Sequence, residues 1–177
     1  IPYWSAQTSV TLNDETVSGV RPATYLTLNR TWQSGDRIRV ALDFTPHVWP
    51  GERESEGSAA VYRGPILLAY DLRYNLEHAA DGEPAVRNLP EFKPTPCVLE
   101  IPEVDVKRIK LDPATWDDWL PPALLLQASA ADGRTIRLCD FASAGITGTP
   151  FCSWLPAHNL PPTPEYTKTN PLRSVRP

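Results

Sequence analysis

Between Arg37 and Phe44 the chain alternates without a break: Ile38, Val40, Leu42 and Phe44 occupy every second position, with Arg37, Arg39, Ala41 and Asp43 between them. A period of two sends the apolar set to one face of a strand and the other set to the opposite face, so this run reads as a strand with one wet face. Upstream, Tyr25 to Asp36 (YLTLNRTWQSGD) reads as a strand and a tight turn at Gly35 and Asp36 that leads into it, with Leu26, Leu28 and Trp32 on one side. A third run, Ala60 to Tyr70 (AVYRGPILLAY), is apolar on both faces from Val61 onward and is interrupted by Gly64 and Pro65. It reads as one covered strand carrying a bulge or kink.

Twenty prolines stand against nine glycines, and apolar runs last only four to eight residues, which argues against a helical protein. The expected class is all-β: two antiparallel β-sandwich modules in tandem with little helix. The first module is expected over residues 1–80, with strands near 2–6, 8–13, 24–30, 37–44 and 58–71 and an exposed loop at Trp49 to Gly57. A proline-rich linker is expected over 81–97, a second module over 98–160, and a proline-rich tail over 161–177. In the second module strands are expected at 97–101, 104–111, 124–129 and 135–141, the last two joined by a turn at Asp132 and Gly133. Asp112 to Leu120 (DPATWDDWL) has the look of one or two helical turns, with Asp112 as N-cap, Pro113 first inside, and Trp116, Trp119 and Leu120 at helical spacing.

Several motifs resemble the β-sandwich region that follows the catalytic barrel in glycoside hydrolase family 127, whose best-known activity is β-L-arabinofuranosidase. Ile1, Pro2 and Trp4 are similar to the family's R-I-P-x-W strand, and Val10 to Asp14, with Asn13, fall where the family has V-x-V-N-G. Tyr25, Leu26, Leu28, Arg30, Trp32, Gly35 and Asp36 follow Y-L-x-L-x-R-x-W-x-x-G-D. Ala60, Arg63, Gly64, Pro65, Ile66 and Leu67 follow A-x-x-R-G-P-L-V. The resemblance implies a longer enzyme in which the chemistry lies in an upstream (α/α)6 barrel, with a zinc-bound cysteine nucleophile, a glutamate and further cysteines. No catalytic residue of that barrel maps onto this sequence. The chain therefore reads as a non-catalytic fragment whose partner is the barrel of the same polypeptide, with no cofactor of its own and zinc assigned to the parent enzyme.

The residues agree with that picture. Seventeen basic and 21 acidic side chains are interspersed, leaving a net charge of −4 and no basic footprint for nucleic acid. No stretch has the apolar length of a membrane span and no leader pattern opens the chain. The compartment, secreted or cytoplasmic, is not fixed by Cys97, Cys139 and Cys152, which lack any C-x-x-C spacing; Cys139 and Cys152 could bridge if their strands are adjacent, and buried thiols are the plainer expectation.

Glycoside hydrolysis commonly needs two carboxyl groups about 5–9 Å apart, one of them in a setting that raises its pKa. Glu52, Glu54 and Glu56 alternate with polar neighbours in a Gly-flanked loop, and Asp117 and Asp118 lie between Trp116 and Trp119; both groups read as solvated. His47, His78 and His158 are isolated, and no G-x-S-x-G elbow occurs. Trp49, Trp116 and Trp119 are the candidates for contact with a sugar or with the barrel, whereas Trp4 and Trp32 read as core. An autonomous carbohydrate-binding module is the alternative function. Arg30 shares a side with Leu26, Leu28 and Trp32, so either a bulge rotates it outward or it is buried with a carboxylate such as Asp36 or Asp43; the resembling pattern keeps an arginine here, which favours an ion pair that fixes the turn. Bracing a barrel requires an apolar surface patch, for which Val61 to Tyr70 together with the three candidate tryptophans supply material.

Overall fold

A computed structural model describes residues 1–78, 99–117 and 119–162. The chain divides into two compact units, one of residues 1–47 with 63–65, the other of 48–62 with 66–177. Among the described residues helix is confined to single 3-10 turns, and no helix is long and apolar enough to cross a membrane. The all-β expectation holds.

The first unit is built on a three-stranded antiparallel sheet in the order β2-β1-β3, with β1 at Ser9–Leu12, β2 at Glu15–Thr16 and β3 at Ile38–Ala41. Asn13 and Asp14 link β1 to β2 with φ of 50° and 68°, the double positive φ of a type I′ turn, which matches the twist of a two-residue hairpin. The Asn13 side chain then reaches the Gly35–Asp36 turn. Its amide donates to Asp36 Oδ1 at 2.7 Å while its carbonyl accepts from the Arg37 amide at 2.8 Å.

Residues 24–30, expected as a strand, form none. Their alternation survives in burial, since Leu26 and Leu28 are half-buried and Tyr25, Thr27 and Asn29 are exposed, but no strand among the described residues supplies a ladder. Residues 2–6 are likewise turns rather than strand, although Ser5 is buried and its hydroxyl accepts from the Asp43 amide at 2.7 Å.

The run read as one kinked strand is instead a hairpin of β5, Ser58–Arg63, and β6, Ile66–Asp71. Gly64 sits in its turn at φ 58°, and a Cβ there would lie 2.6 Å from the ring of Phe44, so glycine is demanded by both dihedral and space.

A nine-stranded sheet in the order β7-β12-β5-β6-β10-β9-β8 has β4 added beside β5 and β11 beside β6. Here β4 is Pro46–Pro50, β7 Val104–Asp105, β8 Asp112–Pro113, β9 Leu125–Ser129, β10 Thr135–Asp140, β11 Phe151–Cys152 and β12 Trp154–His158. The turn between β9 and β10 is the expected one: Gly133 has φ 88°, and Asp132 accepts from the Arg134 amide at 3.0 Å.

Because β6 pairs with β10, strands from both sides of residues 81–97 share one sheet rather than forming two separate sandwiches. The linker and tail expected at 81–97 and 161–177 lie almost wholly outside the described residues, as does Cys97. The helical turn expected at 112–120 is replaced by β8. The Ala114 amide continues that ladder to the Leu125 carbonyl at 3.0 Å, so pairing with β9 overrides the local N-cap signal.

The core of the second unit gathers Ala59 and Val61 of β5, Leu68 and Tyr70 of β6, Leu126 and Ala128 of β9, Ile136 and Leu138 of β10, with Val104 and Leu155. Val61, Leu68 and Tyr70 therefore fill the second unit's core, so the run Val61 to Tyr70 is no bracing patch, and Ile66 alone among its large apolar side chains is exposed. Leu125 and Cys139 point to the other side of the β9–β10 pair, where Tyr74 and Trp116 cover them. That second covering layer makes the site.

Candidate functional site

Asp71, at the end of β6, is fully buried and uses both carboxylate oxygens. Oδ1 accepts from the Arg73 amide at 2.8 Å and from Thr149 Oγ1 at 2.6 Å, and Oδ2 accepts from the Gly145 amide at 2.8 Å. These bonds cap the 3-10 turn Leu72–Tyr74 and so aim Arg73 and Tyr74. Asn75, also fully buried, lays its side-chain amide against the backbone of β10, donating to the Arg137 carbonyl at 2.9 Å and accepting from the Arg137 amide at 2.7 Å. Arg137 is thereby held next to the turn.

Around these anchors lies an open cleft of about 300 Å³, lined by Arg73, Tyr74, Leu76, Glu77, Thr115, Trp116 and Arg137. Trp116 meets Tyr74 edge to face with ring centroids 4.9 Å apart, and the Arg73 guanidinium lies 5.3 Å from the Tyr74 centroid and 5.7 Å from that of Trp116. Arg73 is 93 % shielded and donates to the Trp119 carbonyl at 2.5 Å and the Tyr74 hydroxyl at 3.4 Å. Arg137 donates to the Tyr74 carbonyl at 3.0 Å and makes an ion pair with Glu77. The Trp116 indole N–H is buried with no acceptor among the described residues. Burial raises the Tyr74 phenol above its ordinary pKa, so its hydroxyl stays protonated through the neutral range.

Of the three tryptophans singled out by sequence, Trp116 lines the cleft; Trp119, 70 % exposed, reaches it through the bond from Arg73 to its carbonyl. Trp49 is half-buried on β4 and does not line it. Sequence missed Arg73, Glu77 and Arg137, which converge only because Asn75 and Asp71 fold the segment after β6 back along β10.

Among the described residues that line the cleft Glu77 is the one carboxylate, and it faces the Arg137 guanidinium. The aromatic faces and cationic donors are suited to holding a polar ring. Glu54 and Glu56 lie in and beside the exposed 3-10 turn Arg53–Ser55, and Asp117 is exposed, as expected of solvated acids.

Arg30 is paired with Asp36 as expected, at 3.3 Å, but it is solvated rather than buried and stacks over Trp32 at 5.3 Å. Trp32 itself is about half exposed, not core. His158 is not isolated: the parallel pairing of β12 with β7 puts its Nδ1 3.3 Å from Glu103 and its Nε2 3.6 Å from Asp105. Cys139 and Cys152 are both free, since β10 and β11 each pair with β6 and not with each other. Among the described residues no three His, Cys, Asp or Glu side chains converge on a point that could hold a metal ion.

Residues 1–44 match the family model of the GH127 β-L-arabinofuranosidase middle domain. Solved structures share the fold. One, described as a glycoside hydrolase, aligns with a TM-score of 0.66 at 21 % identity over 89 % of this chain and 27 % of its own. A GH127 β-arabinofuranosidase aligns at 0.58 and 19 % identity over 85 % of this chain and 23 % of its own. A GH127 β-L-arabinofuranosidase from Geobacillus stearothermophilus T6 aligns at 0.58 and 18 % identity, over 89 % and 25 %. No curated protein matches the chain. The resemblance seen in the motifs is thus borne out: the chain is GH127-like in its first 44 residues and in its fold. It spans about a quarter of the length of these structures.

Proposed function

We propose that this chain is the non-catalytic β portion of a GH127-like enzyme acting on arabinofuranosides or related sugars, and that it braces an (α/α)6 catalytic barrel in the same polypeptide. The match of residues 1–44 to the GH127 middle domain carries this reading, and the shared fold with GH127 structures supports it across the rest. The chemistry of the cleft is in keeping with it, because the one acid among its described lining residues, Glu77, is engaged by Arg137. Zinc belongs in this scheme to the barrel. Purified 177-residue chain is expected to hydrolyse no aryl arabinofuranoside, and an enzyme from which this chain is deleted is expected to lose thermal stability. Turnover by the chain alone that disappears in Glu54→Gln, Glu77→Gln or Asp117→Asn would overturn the reading.

The cleft favours one alternative, a carbohydrate-binding module, since Trp116 and the two arginines provide an aromatic face and hydroxyl-directed donors. Titration calorimetry with arabinose and arabino-oligosaccharides decides it: binding that is abolished by Trp116→Ala supports the module, and no heat in the wild type removes it.

A further inference from the structure

The apolar surface that a bracing module needs is absent from Val61 to Tyr70 but present in the first unit. In the register of β1 and β3, Val10 stands opposite Val40 and Leu12 opposite Ile38, so all four side chains share one face of the sheet. That face is covered at one side only. Val10 is 1 % exposed and Leu12 half-buried, whereas Ile38 and Val40 are 50 % and 49 % exposed.

The backbone of β3 is equally one-sided. The Asn13 amide donates to the Arg37 carbonyl at 2.9 Å, which sets 13 opposite 37 as a hydrogen-bonded pair. Alternation along an antiparallel ladder then makes 11 with 39 and 9 with 41 the next such pairs. The amides and carbonyls of Ile38 and Val40 accordingly point away from β1, toward the side where no strand among the described residues pairs with β3. An edge with unmet backbone groups and bare apolar side chains at the same residues is a template for strand addition. The one charge on β3, Arg39, is on the opposite face and reaches toward Asp14 at 3.6 Å, so it does not guard this one.

We propose that β3 receives a further β-strand, apolar at alternate positions, supplied by the part of the GH127-like enzyme that lies outside this chain. The proposal rests on the reading above and adds where the contact falls and what secondary structure makes it. A strand fits better than a helix because only a strand supplies a carbonyl and an amide at the two-residue repeat that Ile38 and Val40 present. The rest of the enzyme is the occupant because β3 lies inside the matched middle-domain segment and about three quarters of each matched structure lies outside the alignment.

Residue-resolved amide hydrogen exchange tests this in the isolated chain and in the enzyme that carries it. In the isolated chain Arg39 and Ala41 should be protected and Ile38 and Val40 should exchange freely; in the enzyme Ile38 and Val40 should slow by about a hundredfold or more. In addition, Val40→Lys should leave the thermal midpoint of the isolated chain within about a degree and lower that of the enzyme by several degrees. Protection of Ile38 and Val40 in the isolated chain at every concentration would mean the edge is already filled. Protection that grows with chain concentration would assign the edge to a second copy. Either result overturns the proposal, as does free exchange at both residues in an enzyme that still cleaves arabinofuranosides, an outcome that leaves the proposed function standing.

Discussion

Asn13 and Asp36 close the first unit on itself: 23 residues apart, they meet with the Asn13 Nδ2 donating to Asp36 Oδ1 at 2.7 Å, while Asp36 Oδ2 accepts from the Gln33 amide at 2.8 Å. One carboxylate therefore holds its own turn and pins it to the β1–β2 hairpin.

These bonds set an acid limit for the first unit. The Asp36 pKa is lowered, first by the Gln33 backbone bond, then by the Asn13 side chain, with the Arg30 charge a smaller contribution. A carboxyl whose folded pKa lies below its unfolded value, about 3.9, contributes stability that is complete above that value and is lost as pH falls through the folded pKa. Unfolding followed by tryptophan fluorescence should show the wild type weakening below about pH 4, and Asp36→Asn, weaker at neutral pH, should lose most of that acid limb.

Asp14 occupies the second position of the I′ turn at φ 68°, where the resembling motif has glycine. Relief of a left-handed backbone is worth about 1 kcal/mol, the added freedom of glycine in the unfolded chain takes back about half of that, and the solvated Asp14–Arg39 pair adds next to nothing. Asp14→Gly should raise the thermal midpoint by about one to two degrees by calorimetry.

Trp116 separates ring packing from its polar atom. Among the described residues its N–H is buried without an acceptor, at a cost of about 1–3 kcal/mol, while the ring packs on Tyr74 and Arg73. Trp116→Phe should fall within about 1 kcal/mol of wild type by urea unfolding because the two effects offset, and Trp116→Ala should cost about 2–4 kcal/mol.

Burial pushes the Cys139 thiol up to about 12, with Asp71 and Asp140 adding to the shift. At pH 8 iodoacetamide should leave Cys139 unmodified in the folded chain and label it after denaturation, while the half-buried Cys152 reacts in the native state. Peptide mapping by mass spectrometry reads both.

What was legible in the sequence was local. Asp132 and Gly133 specify their hairpin by turn chemistry, and the alternation of Leu26 and Leu28 correctly reported which side chains turn inward. That alternation carries no information on whether a partner strand exists, which is why the same signal gave a real strand at Ile38–Ala41 and none at 24–30. The Asp112 N-cap pattern failed because hydrogen bonds to β9, eleven or more residues away, outweigh one cap. The cleft was half legible: Trp116 stood out as an aromatic, but Arg73 and Arg137 are ordinary arginines until long-range pairing brings them to it.

The bonds of Asn75 to β10 carry a consequence for evolution. A buried side chain that stands in for a length of peptide must offer a donor and an acceptor at a peptide's spacing, here toward the Asp71 and Arg137 carbonyls and the Arg137 amide. Aspartate at neutral pH would present an acceptor where those carbonyls need a donor, serine is too short, and glutamine carries an extra methylene into a space with no exposure. A position that stands outside every recognisable motif is thus among the least free to drift, and variation accepted there should come only with a rebuilt turn after Asp71.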